Sequence, residues 1–180
     1  MKTKITILTI FIIANISGQL FACRCQGENT VQEETKQADA VLVGTIISKK
    51  LVMLIDSTFI LRYSEIYSDT DTASINKVLD SPSTEMTIAQ YDLLVENIYK
   101  GKITIDTVSI FTGINGAACG VRFEIGKRYI IYGKRETYFG ELFGKFQYPE
   151  GENIFWTHTC MRTNLFRQEE INEIEKYVNK

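Results

Sequence analysis

The chain has 180 residues, with 20 basic and 22 acidic side chains and a formal net charge of −2. This slightly acidic balance argues against nucleic acid as a main partner, because such binding needs a basic field along one face. The length is enough to bury a real hydrophobic core, and a single domain is the simplest expectation.

The first 22 residues have the pattern of a secretory signal peptide. Lys2 and Lys4 precede an apolar run from Ile5 to Ile16, and no acidic residue occurs before Cys23. This pattern predicts export and cleavage immediately before Cys23, so that residues 23–180 form one secreted, periplasmic or extracellular domain. The apolar run is too short for a membrane span, and no second run of that length follows. We therefore expect no transmembrane segment.

Four cysteines in an exported chain predict two disulfides, and four cysteines allow three pairings. Cys23 and Cys25 are separated by one residue, and an extended tripeptide places such Cα atoms about 7 Å apart, beyond the usual bridging range. We therefore expect both to pair with the distant Cys119 and Cys160. A four-cysteine zinc site is the competing interpretation, but the chain lacks the paired short spacings of structural zinc motifs.

The N-terminal half of the mature chain is predicted to contain a short helix followed by long strands. The polar segment Glu28–Ala38 lacks Gly and Pro and fits a helix. The β-branched run Ala40–Ile47 is interrupted by Gly44, which predicts a strand with a bulge or bend. The strand is expected to continue to Leu54, and Thr58–Tyr67 is predicted to be its returning partner.

The C-terminal half is predicted to consist of further strands and a closing helix. Glycines on both sides of Cys119 predict a connector whose backbone can approach another surface closely. Apolar side chains at helical spacing near the C-terminus predict an amphipathic helix. The predicted strands are Met86–Tyr99, Ile103–Phe111, Arg128–Tyr132 and Phe155–Cys160, and the helix is Gln168–Val178.

Short strands with glycine-rich corners and no intervening helices favour an antiparallel barrel over a parallel sheet. The predicted fold is therefore mainly β: a closed Greek-key barrel like the oligonucleotide/oligosaccharide-binding (OB) fold, with a short N-terminal helix and a C-terminal amphipathic helix.

The sequence shows no catalytic constellation. The one histidine, His158, has no partner histidine, and neither a nucleophile motif nor a phosphate loop is present, so we do not expect an enzyme. A group of aromatic residues suggests two interpretations, a ligand-binding face or, more simply, core and cross-strand pairs. These residues are Tyr138, Phe139, Phe143, Phe146, Tyr148, Phe155 and Trp156.

Several motifs occur in an order that spans most of the mature chain. They are the Cys-x-Cys of Cys23 and Cys25, the strand Ala38–Ile46, the strand end at Tyr99-Lys100-Gly101, the segment Ala117–Val121, the segment Gly126–Gly133 and the last cysteine, Cys160. In these features the sequence resembles the netrin-like modules and, within them, the N-terminal inhibitory domain of the tissue inhibitors of metalloproteinases.

The resemblance implies a five-stranded barrel with flanking helices and the disulfides Cys23–Cys119 and Cys25–Cys160. It further implies that the α-amine and carbonyl of Cys23 chelate the catalytic zinc of a target metalloprotease, and that Arg24 enters the pocket beside that zinc. Cys25 and the connector residues would join the contact; these residues are Gly116, Ala117, Ala118 and Cys119. The free protein would bind no metal or cofactor of its own.

The chain also departs from the pattern of these inhibitors. Four cysteines leave no third bridge, and Arg24 stands where the inhibitors usually place a small hydroxyl residue. In addition, Leu20–Cys23 approximates a bacterial lipid-attachment box. Lipidation would consume the thiol of Cys23 and acylate its amine, leaving an odd number of cysteines. The alternative is therefore an exported or lipid-anchored binding module of the netrin type, without inhibitory activity.

Overall fold

The computed structural model describes residue 25 and residues 29–56, 85–139 and 146–178. In these ranges the chain is mainly β, as predicted. The elements are α1 (Val31–Gln37), β1 (Ala40–Ile55), β2 (Glu85–Lys100), β3 (Thr107–Gly113), a 3₁₀ turn (Gly116–Ala118), β4 (Arg128–Gly133), β5 (Ile154–Trp156), β6 (Asn164–Leu165) and α2 (Gln168–Val178).

The six strands form one mixed sheet in the order β5-β3-β2-β1-β4-β6. All neighbouring pairs are antiparallel except β3 and β5, which run parallel. The expectation of an antiparallel sheet was therefore wrong for this pair. The chain passes from β3 to β5 through β4, so a strand takes the place of the helix that usually makes a parallel crossover.

The paired strands do not by themselves close into a barrel, because the order ends at β5 on one side and at β6 on the other. The edge strand β5 nevertheless reaches the end of β4 through an isolated bridge between Lys134 and Trp156. The Lys134 amide donates to the Trp156 carbonyl over 2.9 Å, and the Trp156 amide donates to the Lys134 carbonyl over 2.7 Å.

Strand β1 organises the sheet because it pairs with both β2 and β4. Its register against β2 shifts at three places, one of them between Val43 and Gly44, which confirms the predicted bulge. A Cβ atom at Gly44 would lie 2.3 Å from the Leu94 carbonyl oxygen. Only glycine allows the two backbones to approach so closely, and such a bulge increases the local bend of the strand.

The start of β1 is buried on both faces, since Ala40, Val41, Leu42 and Val43 are all fully buried. Leu42 belongs to a buried cluster that also contains Tyr91, Leu93, Ile110 and Phe155. Val41 and Val43 face the opposite way and pack with α1 and α2 through residues such as Val31, Ile171 and Ile174. An unbroken apolar run is what two-sided burial requires.

A third cluster closes the end of the sheet near β5 and contains most of the predicted aromatic group. Phe139 and Trp156 are buried there, and Tyr138, Phe146 and Tyr148 pack against them. The interpretation of these residues as core is thus confirmed, while Phe143 lies outside the described residues. Thr58–Tyr67, predicted as the partner of β1, also lies outside them. Residues 49–55 of β1 pair with the first half of β2.

Candidate functional site

A disulfide joins Cys25, the first residue that the structure describes, to Cys160 in the C-terminal part of the chain. The two residues are 135 positions apart in the chain, and their Cα atoms lie 5.1 Å apart. Cys119 is also disulfide-bonded, and none of the described cysteines is free. These bonds exclude the four-cysteine zinc site. The implied partner of Cys119, Cys23, and the adjacent Arg24 lie outside the described residues.

The connector before Cys119 folds into a compact 3₁₀ turn. The Asn115 side chain caps it, because Oδ1 accepts a hydrogen bond from the Ala118 amide over 3.0 Å. Cys119 ends the turn in the left-handed region with a φ of 54°, the one described non-glycine residue with positive φ. A Cβ atom at Gly113 would lie 2.1 Å from the Ala118 carbonyl oxygen, so the turn folds back tightly on the end of β3.

The connector and the Cys25–Cys160 disulfide lie next to each other. The Thr159 amide donates a hydrogen bond of 2.9 Å to the Cys119 carbonyl. This backbone hydrogen bond therefore joins the disulfide-bonded Cys119 to the residue that precedes Cys160. The structure thus brings together Cys25 and the segment Gly116–Cys119, two parts of the predicted contact surface that are far apart in the sequence.

Two aromatic side chains lie beside this junction. The Tyr138 hydroxyl accepts a hydrogen bond from the Gly113 amide over 2.7 Å and donates one to the Ala118 carbonyl over 3.0 Å. Its ring centroid is 4.7 Å from that of His158. His158 Nδ1 accepts a hydrogen bond from the Cys160 amide over 3.2 Å. Burial lowers the pKa of His158, which favours the neutral imidazole that this bond requires.

A second set of polar contacts holds the segment that follows Cys25. Asn29 Nδ2 donates to the Cys160 carbonyl over 3.3 Å and to Glu34 Oε2 over 2.6 Å. Arg162 donates to the Asn29 carbonyl over 2.8 Å and pairs with the Glu170 carboxylate of α2 over 3.3 Å. Both sides of the Cys25–Cys160 disulfide are therefore attached to the body of the fold.

The carboxylates of this network experience different environments. Burial raises the pKa of Glu34, although the Asn29 hydrogen bond and the nearby Lys134 and Arg162 charges oppose the rise. Glu170 accepts hydrogen bonds from the Tyr132 hydroxyl and from Arg162, and burial together with the Glu170 charge raises the pKa of Tyr132. Glu34 and Glu170 each bind partners inside the protein, so their role is to hold neighbouring segments of the chain together.

An open groove of about 530 Å³ runs beside the junction. Its lining includes Asp39, Arg135, Tyr138, His158 and Met161. Arg135 is already engaged, since its side chain donates to the carbonyls of residues 151 and 152 and its amide donates to Asp39. The groove has a mixed charge, and its second basic residue, Lys134, donates a hydrogen bond to the Gln37 carbonyl.

Over the described parts of the chain, no group of three or more His, Cys, Asp or Glu side chains is placed to hold a metal ion. Within the same ranges, no helix has the length and apolar character needed to cross a membrane.

Sequence reasoning did not identify the residues that support the site. His158 was considered as a catalyst and set aside, but its role in binding the Cys160 amide was not foreseen. The sequence gives no sign that Asn29 contacts Cys160, and it identifies Tyr138 only as an aromatic residue of a binding face or core. Nothing in the sequence indicated Arg162 and Glu170, because their pairing depends on how α2 lies against the sheet.

The chain matches no protein-family model and no curated protein.

Proposed function

We propose that the mature chain is a secreted inhibitor of zinc metalloproteases, similar to the tissue inhibitors, in which the amine and carbonyl of Cys23 chelate the catalytic zinc of the target. The Cys25–Cys160 disulfide is the observation that carries this proposal. It fixes a point two residues after Cys23 beside the Cys119 connector. A short terminus held in this way would keep its amine in a nearly fixed position before the target binds.

The fold supports the proposal through its strand connections. Starting from β1, the neighbours run through β2 and β3 to β5, and the Lys134–Trp156 bridge leads from β5 to the end of β4, which pairs again with β1. We infer from this cycle a closed Greek-key barrel of the OB type, flanked by α1 and α2. Barrels of this type bind ligands through loops together with one face of the strands.

The chemistry of the terminus is sufficient for zinc binding. An α-amine and the carbonyl of the same residue form a five-membered chelate, and an amine pKa of about 8 leaves a neutral fraction near pH 7. Catalytic zinc sites keep one position open for water or substrate, and the chelate would occupy that position. The disulfides reduce the conformational freedom that binding would otherwise remove, which is how rigid inhibitors gain affinity.

The cysteine chemistry favours a free amine over a lipid anchor. The sequence has four cysteines, Cys25 and Cys160 are bonded to each other, and Cys119 is also disulfide-bonded. Thioether lipidation of Cys23 would remove the one thiol left to serve Cys119. The alternative, a lipid-anchored or exported binding module without inhibitory activity, therefore has less support.

The proposal is tested with mature protein that begins at Cys23, its terminus verified by intact mass. The protein is assayed against a panel of zinc metalloproteases as it is, after selective acetylation of the α-amine, and with Ala22 retained. We expect the free-amine protein to inhibit at least one protease, and both blocked forms to lose that inhibition because the nitrogen can no longer coordinate zinc. Equal inhibition by the blocked forms would exclude the chelate, and a lipid mass on Cys23 would establish the anchored alternative.

The residue after the chelating cysteine should determine which proteases are inhibited. An unpaired guanidinium is costly in a deep apolar pocket, so Arg24 should select targets whose pocket is acidic or open. We expect Arg24→Thr to shift inhibition toward proteases with apolar pockets. An unchanged inhibition profile across the panel would remove Arg24 from the contact.

A further inference from the structure

Tyr138 lies between the two parts of the proposed contact surface. Its hydroxyl joins the end of β3 to the connector, because it accepts a hydrogen bond from the Gly113 amide and donates one to the Ala118 carbonyl. Both donor–acceptor distances, 2.7 and 3.0 Å, are those of well-formed hydrogen bonds. One hydroxyl group therefore holds the turn closed across the end of β3.

The ring of Tyr138 continues this connection toward the Cys25–Cys160 disulfide. It contacts the ring of His158 with a centroid distance of 4.7 Å and an interplanar angle of 51°. His158 in turn binds the Cys160 amide through Nδ1. On the other side, the Tyr138 ring contacts the buried rings of Phe139 and Trp156. The pair is thus supported by the aromatic cluster at this end of the sheet.

We propose that Tyr138 and His158 are positioning residues that hold the Gly116–Cys119 connector in register with the Cys25–Cys160 disulfide. The Thr159 amide also donates a hydrogen bond to the Cys119 carbonyl. Together these contacts join two segments that are distant in the sequence into one rigid surface. The inference rests on the proposed function, because it assigns this rigidity to the binding of a metalloprotease. Rigidity on the inhibitor side lowers the ordering cost of association.

The hydroxyl of Tyr138 can be removed without disturbing the ring. Tyr138→Phe keeps the contacts with His158, Phe139 and Trp156 and deletes both hydrogen bonds of the hydroxyl, one to the end of β3 and one to the connector. The chain also offers a matched control in Tyr148, whose ring packs in the same aromatic cluster. Its hydroxyl is buried and has no hydrogen-bond partner among the described residues, so Tyr148→Phe makes the same chemical change and breaks no hydrogen bond within that part of the chain.

The first measurement compares inhibition constants of the three proteins against a protease that the wild type inhibits. We expect Tyr138→Phe to weaken inhibition about tenfold, the effect of losing roughly one hydrogen bond's contribution to the bound geometry. We expect Tyr148→Phe to stay within about twofold of the wild type, given the small effects of substitutions that break no contact. Equal inhibition constants for the two variants would overturn the positioning role.

The second measurement is amide hydrogen exchange and does not depend on inhibition. Loss of the hydroxyl must speed exchange at Gly113, since that amide loses its acceptor. A role confined to the local turn would stop there. The positioning role predicts faster exchange at Thr159 as well, whose amide binds Cys119 and not Tyr138. Unchanged exchange at Thr159 would overturn the proposal.

The two measurements separate failure of this inference from failure of the proposed function. Suppose that the wild type inhibits no protease, but Tyr138→Phe speeds exchange at Thr159 and Tyr148→Phe does not. The proposed function then fails and the positioning role of Tyr138 stands. Suppose instead that the wild type inhibits a protease, and that Tyr138→Phe changes neither the inhibition constant nor exchange at Thr159. The proposed function then stands and the positioning role fails.

Discussion

His158 is the one histidine of the chain, and its imidazole is bound on one side by the Cys160 amide and covered on another by the Tyr138 ring. Burial lowers its pKa below the ordinary value of 6.5. Charged groups also line the adjacent groove. Two are acidic, Asp39 and Glu136, and two are basic, Lys134 and Arg135. Protonation would place a second N–H where the Cys160 amide now finds an acceptor.

The stability of the protein should therefore fall as His158 becomes protonated. A lowered pKa in the folded state means that the unfolded chain binds the proton more tightly, so stability is retained above about pH 6.5 and lost as the pH falls below that value. His158→Asn keeps an acceptor near the Nδ1 position and cannot titrate. We expect its urea midpoint to change less than that of the wild type between pH 8 and pH 5. Parallel pH profiles would contradict this assignment.

Glu34 should behave in the opposite way. Burial raises its pKa above 4.5, so the folded protein favours the protonated carboxyl, and ionisation costs stability as the pH rises through that value. Glu34→Gln keeps an oxygen that can accept from Asn29 and removes the charge. We expect this variant to be more stable than the wild type at pH 8 and nearly equal to it at pH 4.

Denaturant unfolding at the two pH values provides the measurement for Glu34, and Glu175→Gln on the exposed side of α2 serves as the control. The control should stay within about 0.5 kcal/mol of the wild type at both values, as surface substitutions usually do. A Glu34→Gln protein that is less stable than the wild type at pH 8 would mean that the ionised carboxylate contributes favourably.

Helix α1 is too short to be stable alone, since isolated helices below about 12 residues are marginal in water. It is secured at both ends. Thr30 and Glu33 form a capping box at its start. At its end, Lys100 Nζ donates to the carbonyls of Thr35 and Lys36, each over 2.8 Å. The lysine charge also complements the negative end of the helix dipole.

Removal of the N-cap should loosen this helix and, with it, the segment that follows Cys25. We expect Thr30→Ala to lower the free energy of unfolding by about 1 kcal/mol, the usual cost of losing such a cap. Gln32→Ala, at an exposed position of the same helix, should be neutral or slightly stabilising because alanine has the higher helix propensity. Equal destabilisation by the two substitutions would show that the cap itself contributes little.

The elements that depend on local pattern were predictable from the sequence. The bulge at Gly44 follows from a glycine inside a β-branched run, and α2 has the predicted bounds, Gln168–Val178, because its apolar spacing is regular. Strand β3 begins at Thr107 and not at Ile103, although the alternation extends over both. Alternation shows which side chains share a face, but not where the neighbouring strand ends.

The support of the candidate site was not predictable in the same way. The pairing of Cys25 with Cys160 was implied by family resemblance, since four cysteines alone leave several pairings open. The contacts of Tyr138, His158 and Arg162 join residues that are brought together only by the completed sheet and by the position of α2. Glycines near Cys119 did indicate close backbone approach, but the surface approached is the connector's own end of β3.

The Cys25–Cys160 disulfide joins residues 135 positions apart, so it restricts the conformations of the unfolded chain more than any local contact does. The chain-entropy model gives about 5 kcal/mol for such a loop as an upper value. The bonded state of Cys119 means that a second bridge already restricts the unfolded chain, so the contribution of this bond should be smaller, about 2–4 kcal/mol.

The double variant Cys25→Ser and Cys160→Ser tests this contribution without leaving an unpaired thiol. We expect a lower urea midpoint together with a larger m-value, because the unfolded chain expands and exposes more surface when the long loop is opened. An entropic effect on the unfolded state would leave the folded sheet intact, and exchange in the core of β1 and β2 should then keep its native pattern at low denaturant. A lower midpoint with an unchanged m-value would instead locate the effect in lost native contacts around Asn29 and Cys160.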